Sequence, residues 1–245
     1  MTSTTANKKF IIGLIWLIIW QILAMLIKEE ILLPSPLLVL EKFINLLGTK
    51  DFYISILSTS FKIILGFGLA ILIALVFAYF SYKYQLFYEF IRPIILIFKS
   101  VPIASLTILL LFWIKSENLS VYVAFIMAMP IIYTNVYTGL ISIDKKLIQM
   151  AEVYQITERK KLHYIYGIKV RPFLTSSIIT VSGLVFKAGV AAEVIGLPAN
   201  SIGKNLYNSK VYLDMPALMA WTLSILILSM GFEKLLRLVL GGNHD

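Results

Sequence analysis

Six apolar runs, at residues 10–27, 61–80, 93–114, 121–141, 173–195 and 216–232, each extend for 17 or more residues in a chain of 245. About 20 residues of helix cross the roughly 30 Å hydrocarbon core of a bilayer. Inside that core no water satisfies the backbone, so a run of this length is stable only as a helix or as part of a closed barrel. The runs are unbroken rather than alternating, which selects helices. The expectation is an all-α polytopic membrane protein with six transmembrane helices, forming one transmembrane domain over residues 1–245. A hydrophobic content of 59% against 14% charged residues excludes an ordinary soluble domain.

The first run follows TSTTANKK and resembles the apolar region of a signal peptide, but no small-residue cleavage site comes after it. It is read as a retained helix. The formal net charge of +9 would suggest nucleic acid in a soluble protein. In a membrane protein its distribution is the informative quantity, because cytoplasmic segments carry the excess of Lys and Arg. With the N-terminus inside, 13 of the 22 basic residues fall in cytoplasmic segments, 6 in outer loops, and Lys62, Lys99 and Lys187 within spans. Both termini are therefore assigned to the cytoplasm, and no nucleic-acid partner is expected.

The longest hydrophilic interval, 142–172, holds seven of the 22 Lys and Arg residues. Along 146–161 Leu147, Met150, Ala151, Tyr154 and Leu162 recur at helical spacing, which predicts an amphipathic cytoplasmic helix rather than disorder. A short helix with an exposed apolar edge suits docking in a groove of a partner; a solvated basic loop that only sets topology is the alternative. In the first outer loop, LLPSP at 32–36 is stiff because each proline restricts the residue before it. After it Leu37, Leu40, Phe43, Ile44 and Leu47 oppose Glu41, Lys42 and Asn45. That pattern fits a helix lying in the membrane interface or one packed on the bundle. Pro102 and Pro130 each remove a helix hydrogen bond and invite a kink.

No catalytic, metal or cofactor site is expected. The chain has no cysteine, only two histidines (His163 and His244), and no HExxH, GxSxG or phosphate-cradling GxxxxGK[ST]. The intramembrane charges Lys99, Lys187 and Glu193 are the other candidates, since a charge at mid-bilayer costs about 2.5–3.5 kcal/mol and must face a cavity or a partner. Lys99 lies near the end of its run and can snorkel to the interface. Lys187 and Glu193 sit six apart, about 120° around a helix, so they do not pair directly. Glu193 is read either as a cap to the following loop or as a gate residue. Gly183, Ala188, Gly189, Ala191, Ala192 and Gly196 allow close helix approach in the same span. Asn135, Thr107, Thr138, Ser176, Ser177, Thr180 and Ser182 suggest a pathway without strong charge selectivity.

The interval 142–172 resembles the EAA loop of the permease subunits of bacterial ATP-binding cassette importers, with Gln149-Met150-Ala151 on E-A-A, Gln155 on the motif's glycine and Pro172 on its closing proline. LPSP at 33–36, Gly66-Phe67-x-x-Ala70, Val101-Pro102, Asn135-x-x-x-Gly139, Ala192-Glu193 and Ile202-Gly203 follow the order and spacing of the nitrate/sulfonate/taurine-type permeases, over about 32–238. The resemblance implies a type I importer permease fold in the bacterial cytoplasmic membrane, pairing with a second permease copy as a homodimer. It also implies a separate ABC ATPase dimer as the enzymatic partner and an extracytoplasmic substrate-binding protein that delivers a small molecule. The resemblance places the coupling helix at 146–155 with 158–161 flanking it; the coupling contacts then fall on Leu147, Gln149, Met150, Ala151, Tyr154, Gln155 and Pro172, with Ala151 at closest approach, and the pathway or gate on Asn135, Lys187 and Glu193. The missing glycine at Gln155 brings the turn after the coupling helix into question. A stand-alone secondary transporter, channel or scaffold is the competing class; internal repeats and an intramembrane acidic relay, which a secondary transporter would show, are not found in the sequence.

Overall fold

A computed structural model describes residues 3–241, so His244 lies outside the described residues. It is helical, and among the described residues no strand occurs. In chain order the helices are α1 (Ser3–Ile27), α2 (Pro36–Leu47), α3 (Lys50–Lys83), α4 (Gln85–Ser100), α5 (Ile103–Leu110), α6 (Leu119–Ile141), α7 (Lys145–Val153), α8 (Glu158–Lys161), α9 (Ile168–Gly196), α10 (Ile202–Val211) and α11 (Met215–Gly241). A π-helical turn, Leu162–Gly167, joins α8 to α9, so the helix runs without interruption from Glu158 to Gly196. Among the described residues four helices are long and apolar enough to cross a bilayer: Lys50–Lys83, Ser116–Ile141, Glu158–Gly196 and Met215–Gly241. The shorter apolar stretch Ile11–Ile27 of α1 adds to these.

The expected continuous span 93–114 is corrected. It is broken into α4 and α5, which meet at 108°. Pro102 is the cause. It has no N–H to give the helix, and it drives Val101 out of the helical region to φ −73°, ψ 128°. Pro130, by contrast, is accommodated inside an unbroken α6.

The core is built on α6, which packs against α3 on one side and α9 on the other. The α3 surface that meets it is a stripe of small residues four apart, Gly66, Ala70, Ala74 and Ala78, all buried. Such a row lets backbones approach closely in a medium where no hydrophobic force draws helices together. At Gly66 the approach leaves no room: a Cβ there would stand 2.1 Å from the Val121 carbonyl oxygen. No side chain fits.

Around this triad α11 packs on α9, α10 and α2. Helix α2 realises both readings of its sequence. Val39, Phe43 and Leu46 turn toward the bundle, while Leu37, Leu40 and Ile44 are exposed and free to meet lipid. Ser35 caps it by accepting from the Leu38 N–H at 3.3 Å, with Pro36 in the first turn. Lys42 donates to Asp214 at 2.7 Å, fastening α2 to the start of α11. Burial pushes Asp214 upward, but the Lys42 hydrogen bond and charge and the Ala217 N–H outweigh it, so its pKa lies below the usual value. The interval between the runs 173–195 and 216–232 is mostly helix, α10, wedged between α9, α11 and α3.

Candidate functional site: a projecting helix, a polar knot and an exposed polar stripe

Helix α7 stands at the junction of α6 and the segment leading into α9. Asp144 caps it, its Oδ1 accepting from the Lys146 N–H at 2.9 Å. Almost all of it is exposed. Leu147 (41%), Met150 (51%) and Tyr154 (74%) form an outward apolar edge with Val153 (79%) beside it, and Gln149 is exposed among them. An apolar edge this open has water to lose by docking. The expectation that Ala151 belongs to that edge is corrected: it is 1% exposed, turned inward one helical turn from Ile148, which packs on the core. At 100° per residue Ala151 falls between Leu147 and Ile148, on the flank of the apolar stripe nearest Ile148. Pro172 lies inside an unbroken α9 and, with Ile143, Asp144, Leu147 and Phe173, lines a cleft of about 290 Å³ beneath α7.

The turn after α7 forms without its glycine. Gln155 adopts φ 52°, the left-handed conformation. The Gln155 N–H donates to the Glu152 carbonyl at 2.9 Å and the Ile156 N–H to the Ala151 carbonyl at 2.9 Å. These two bonds are the paired closure that usually ends a helix on glycine. A side chain in this conformation costs about 1–2 kcal/mol, so the turn is retained with some strain.

At the opposite end of α9, Glu193 is fully buried. Its Oε2 accepts from Thr59 Oγ1 of α3 at 2.9 Å and from the Gly203 N–H of α10 at 3.2 Å; its Oε1 accepts from Ser120 of α6 at 3.2 Å. Thr59 Oγ1 in turn accepts from the Ile202 N–H at 3.1 Å, and Ser201 Oγ from the Lys204 N–H at 3.1 Å. The three N–H groups of the first turn of α10 are thereby satisfied by three different side chains, and an acidic group stands where the helix dipole favours one. Gly203 is required by the close approach, since a Cβ would lie 2.3 Å from Glu193 Cβ and 2.5 Å from the Val194 nitrogen. The geometry is that of a cap joining α3, α6, α9 and α10. Thr59, Ser120 and Gly203 were not singled out in this role from the sequence. The available signal was a lone acid with hydroxyl residues in other spans at comparable depth.

Lys187 lies on another face of α9 and is exposed, in a stripe with Ser176, Thr180 and Ala191, all exposed and all small or polar apart from the lysine. The exposed residues of α1 are, in contrast, mostly Ile, Leu and Trp. A lysine facing lipid at mid-bilayer would cost about 2.5–3.5 kcal/mol, so this stripe is suited to water or protein. Asn135 is half-buried and its Nδ2 donates back to the Ile131 carbonyl at 2.9 Å within α6. Lys99, at the end of α4, donates to Thr134 of α6 at 2.7 Å. The structure thus brings together the α7 residues other than Ala151, and leaves Asn135, Lys187 and Glu193 at separate places.

A family model of binding-protein-dependent transport system inner membrane components matches residues 66–239, from the small-residue stripe of α3 through α11. The chain belongs to this family. It is an ABC transporter permease subunit and a multi-pass membrane protein. The permease is similar, at 23% identity over 208 residues covering 84% of each chain, to a probable ABC transporter permease protein of Brucella melitensis biotype 1. At 23% identity over 195 residues, 77% of this permease and 69% of the relative, it is similar to the putative aliphatic sulfonates transport permease protein SsuC of Bacillus subtilis strain 168.

Proposed function

We propose that this permease forms, with a second copy, the translocation pathway of an ATP-driven importer in the bacterial cytoplasmic membrane. A separate ATPase dimer docks on α7, and an extracytoplasmic binding protein presents a small-molecule substrate from the side of α2 and α10. The observation that carries the reading is the outward apolar edge of α7, whose Ile148 packs on the core and whose Ala151 is buried. An exposed apolar edge of this kind is stabilised further by burial in a partner's groove. The exposed stripe of Ser176, Thr180, Lys187 and Ala191 supports a pathway shared between copies, because its lysine is tolerable against water or protein and costly against lipid. ATP-driven closure of the ATPase pair would then draw two α7 helices together and switch access from one side to the other, a two-state change transmitted by rigid helices.

The test substitutes Met150, which is exposed and makes no buried contact whose loss would unfold the chain. Met150→Asp places an unpaired charge in the docked face, at a cost of about 2–3 kcal/mol, or some hundredfold in affinity. Pull-down of the ATPase subunit from solubilised membranes should fail, with uptake lost and membrane insertion intact. Wild-type association and uptake in this variant would remove α7 from the coupling role. Ala151→Glu is unsuitable as a test, because a charge there would disturb the seat of α7 on its own chain.

A further inference from the structure

The charges of α7 oppose its own dipole at both ends. Lys145 and Lys146 occupy the first turn and Glu152 the last, with no acidic residue in the first turn and no basic one in the last. A helix favours the reverse, anions at its N-terminus and cations at its C-terminus. Asp144 caps the N-terminus through the Lys146 N–H, and the two lysines are set directly beside that cap. We propose that α7 docks in a groove of the ATPase subunit whose rim is charged to match: carboxylates facing Lys145 and Lys146 at one end, a basic side chain facing Glu152 at the other. This rests on α7 being the ATPase-docking helix and adds the chemistry of the surface that receives it.

The chain itself does not compensate these charges. Residues three and four apart share a helix face. At those distances Lys145 meets Ile148 and Gln149, Lys146 meets Gln149 and Met150, and Glu152 meets Ile148 and Gln149. All three charged side chains are exposed, and among the described residues none of them takes part in an ion pair. The next acid, Glu158, is engaged by Lys161 at 3.0 Å. Arg159 and Lys160 lie on α8, past the left-handed turn at Gln155, and are not part of the α7 pattern. The preference for basic residues on the cytoplasmic side sets how many there are, not their place on a helix, and it says nothing of Glu152.

Position around the helix puts the charges where a groove would meet them. Ile148 and Ala151 mark the side turned to the chain. At 100° per residue Lys146 falls on the opposite side, between Met150 and Val153 of the exposed apolar edge. Lys145 and Glu152 share one flank, about 10 Å apart along the axis. An apolar floor would take the edge, and a rim of opposite charge at each end would take the lysines and the glutamate. Charge ordered along the axis also fixes which way the helix lies, because a reversed helix would set like charges against each other. A local arrangement that works against its own helix and is matched by a partner is the kind of conflict found at functional sites.

The experiment immobilises the full-length permease and measures binding of the purified ATPase subunit across a salt series. Lys145→Glu/Lys146→Glu should bind about tenfold more weakly at low salt, with the difference closing near 1 M salt. Glu152→Lys should weaken binding in the same salt-dependent way. The control Lys83→Gln/Lys234→Gln, which removes two exposed cytoplasmic lysines away from α7, should stay within about twofold. In the permease free of ATPase, amide hydrogen exchange along α7 should slow about threefold in Lys145→Glu/Lys146→Glu, because the new charges agree with the dipole. If that variant fails to insert, Lys145→Gln/Lys146→Gln, expected to bind about threefold more weakly, gives the same test. Unchanged or tighter ATPase binding in the α7 charge variants, with binding lost in Met150→Asp, would overturn the charged rim and leave docking on α7 intact; normal binding in Met150→Asp as well would remove both. An equal loss in the control would show that net charge alone is felt, and faster exchange along α7 would show that the charges serve the permease's own fold. Release of anionic phospholipid from the charge variants with ATPase retained would assign the lysines to the membrane surface. Each of these three results would also overturn the proposal.

Discussion

Glu193 separates a structural reading from an electrostatic one, and two substitutions at the same atom positions decide between them. Its carboxyl accepts three hydrogen bonds in a place with no exposure. Glu193→Ala leaves the Thr59 and Ser120 hydroxyls and the Gly203 N–H without their acceptor and opens a void. The hydroxyls can rotate toward backbone carbonyls, but the amide cannot. One stranded N–H costs about 1–3 kcal/mol and the cavity adds a similar amount, so the loss should be about 3–5 kcal/mol. Glu193→Gln keeps the shape and one carbonyl oxygen, able to accept from Thr59 and Gly203 together. The new amide N–H₂ then meets Ser120, whose hydroxyl turns from donor to acceptor. All partners remain paired, and the expected change is under about 1 kcal/mol. In thermal unfolding of the purified transporter, Ala should lower the midpoint by about ten degrees while Gln stays within about three. Uptake should follow stability: reduced in Ala, near normal in Gln. A Gln variant with an unchanged midpoint and no uptake would refute this reasoning, since it would mean that the charge itself is used, as a gate residue uses it. An Ala variant as stable as wild type would show that the knot holds nothing.

Three further outcomes follow from particular contacts. Gln155→Gly should stabilise the turn after α7 by up to about 1 kcal/mol in thermal unfolding, since glycine adopts the left-handed conformation freely; destabilisation would show that the Gln155 side chain matters more than its backbone. The Lys42–Asp214 pair holds Asp214 below its ordinary pKa, so its stabilisation is complete above about pH 4 and is lost as the pH falls through the lower, folded value. The stability margin of wild type over Lys42→Met should accordingly be flat near neutral pH and shrink in acid, by a small amount because both side chains are over a third exposed. Single cysteines at Lys160 and Lys210, both exposed, should label with an impermeant reagent from opposite sides of the membrane; labelling of both from outside would overturn the orientation. Lys210 serves better than its neighbour Asn205, whose Nδ2 is bonded to Ser55 at 3.0 Å.

The parts of this molecule that follow from one-dimensional pattern were readable, and those set by three-dimensional encounter were not. Four of the apolar runs became crossing helices because length and hydropathy alone dictate that in a bilayer. Helix α2 was visible from its period, yet its two apolar faces could be sorted only once α11 was known to lie beside it. The break at Pro102 and the continuity at Pro130 look alike in sequence. What differs is that Pro130 is buried within α6 between α3 and α9, whereas α5 packs chiefly on α9 and α4 on α3 and α6, so the two pieces follow different neighbours. The Gly66, Ala70, Ala74 and Ala78 row was legible in principle, since a four-residue period of small residues is a packing signal. Ala151 shows the converse limit: on a short exposed helix, spacing says which residues share a side and not whether that side meets a partner or the chain's own body.

Helix α9 connects every feature argued to matter for transport, and its length determines what each perturbation can reach. From Ile168, near the cleft beneath α7, to Glu193 there are 25 residues, about 38 Å of helix. Lys187 and its polar stripe lie between. Sites that far apart, sharing no partner, contribute independently to stability, so loss of the Glu193 cap should loosen α10 and the adjacent end of α9 without touching the surface offered by α7. ATPase association is therefore the measurement that distinguishes the two ends. A Glu193→Ala permease that loses uptake while retaining its ATPase has failed at the α10 end, whereas Met150→Asp should fail at the docking step. Functional coupling between the ends requires that α9 move as one piece. The continuous helix from Glu158 to Gly196 provides for this, with the π turn at Leu162–Gly167 and the N–H missing at Pro172 as the places where its regular ladder is interrupted. Any bending of α9 under load should concentrate between the π turn and Pro172, on the α7 side of the polar stripe, so that the stripe and the Glu193 knot travel together.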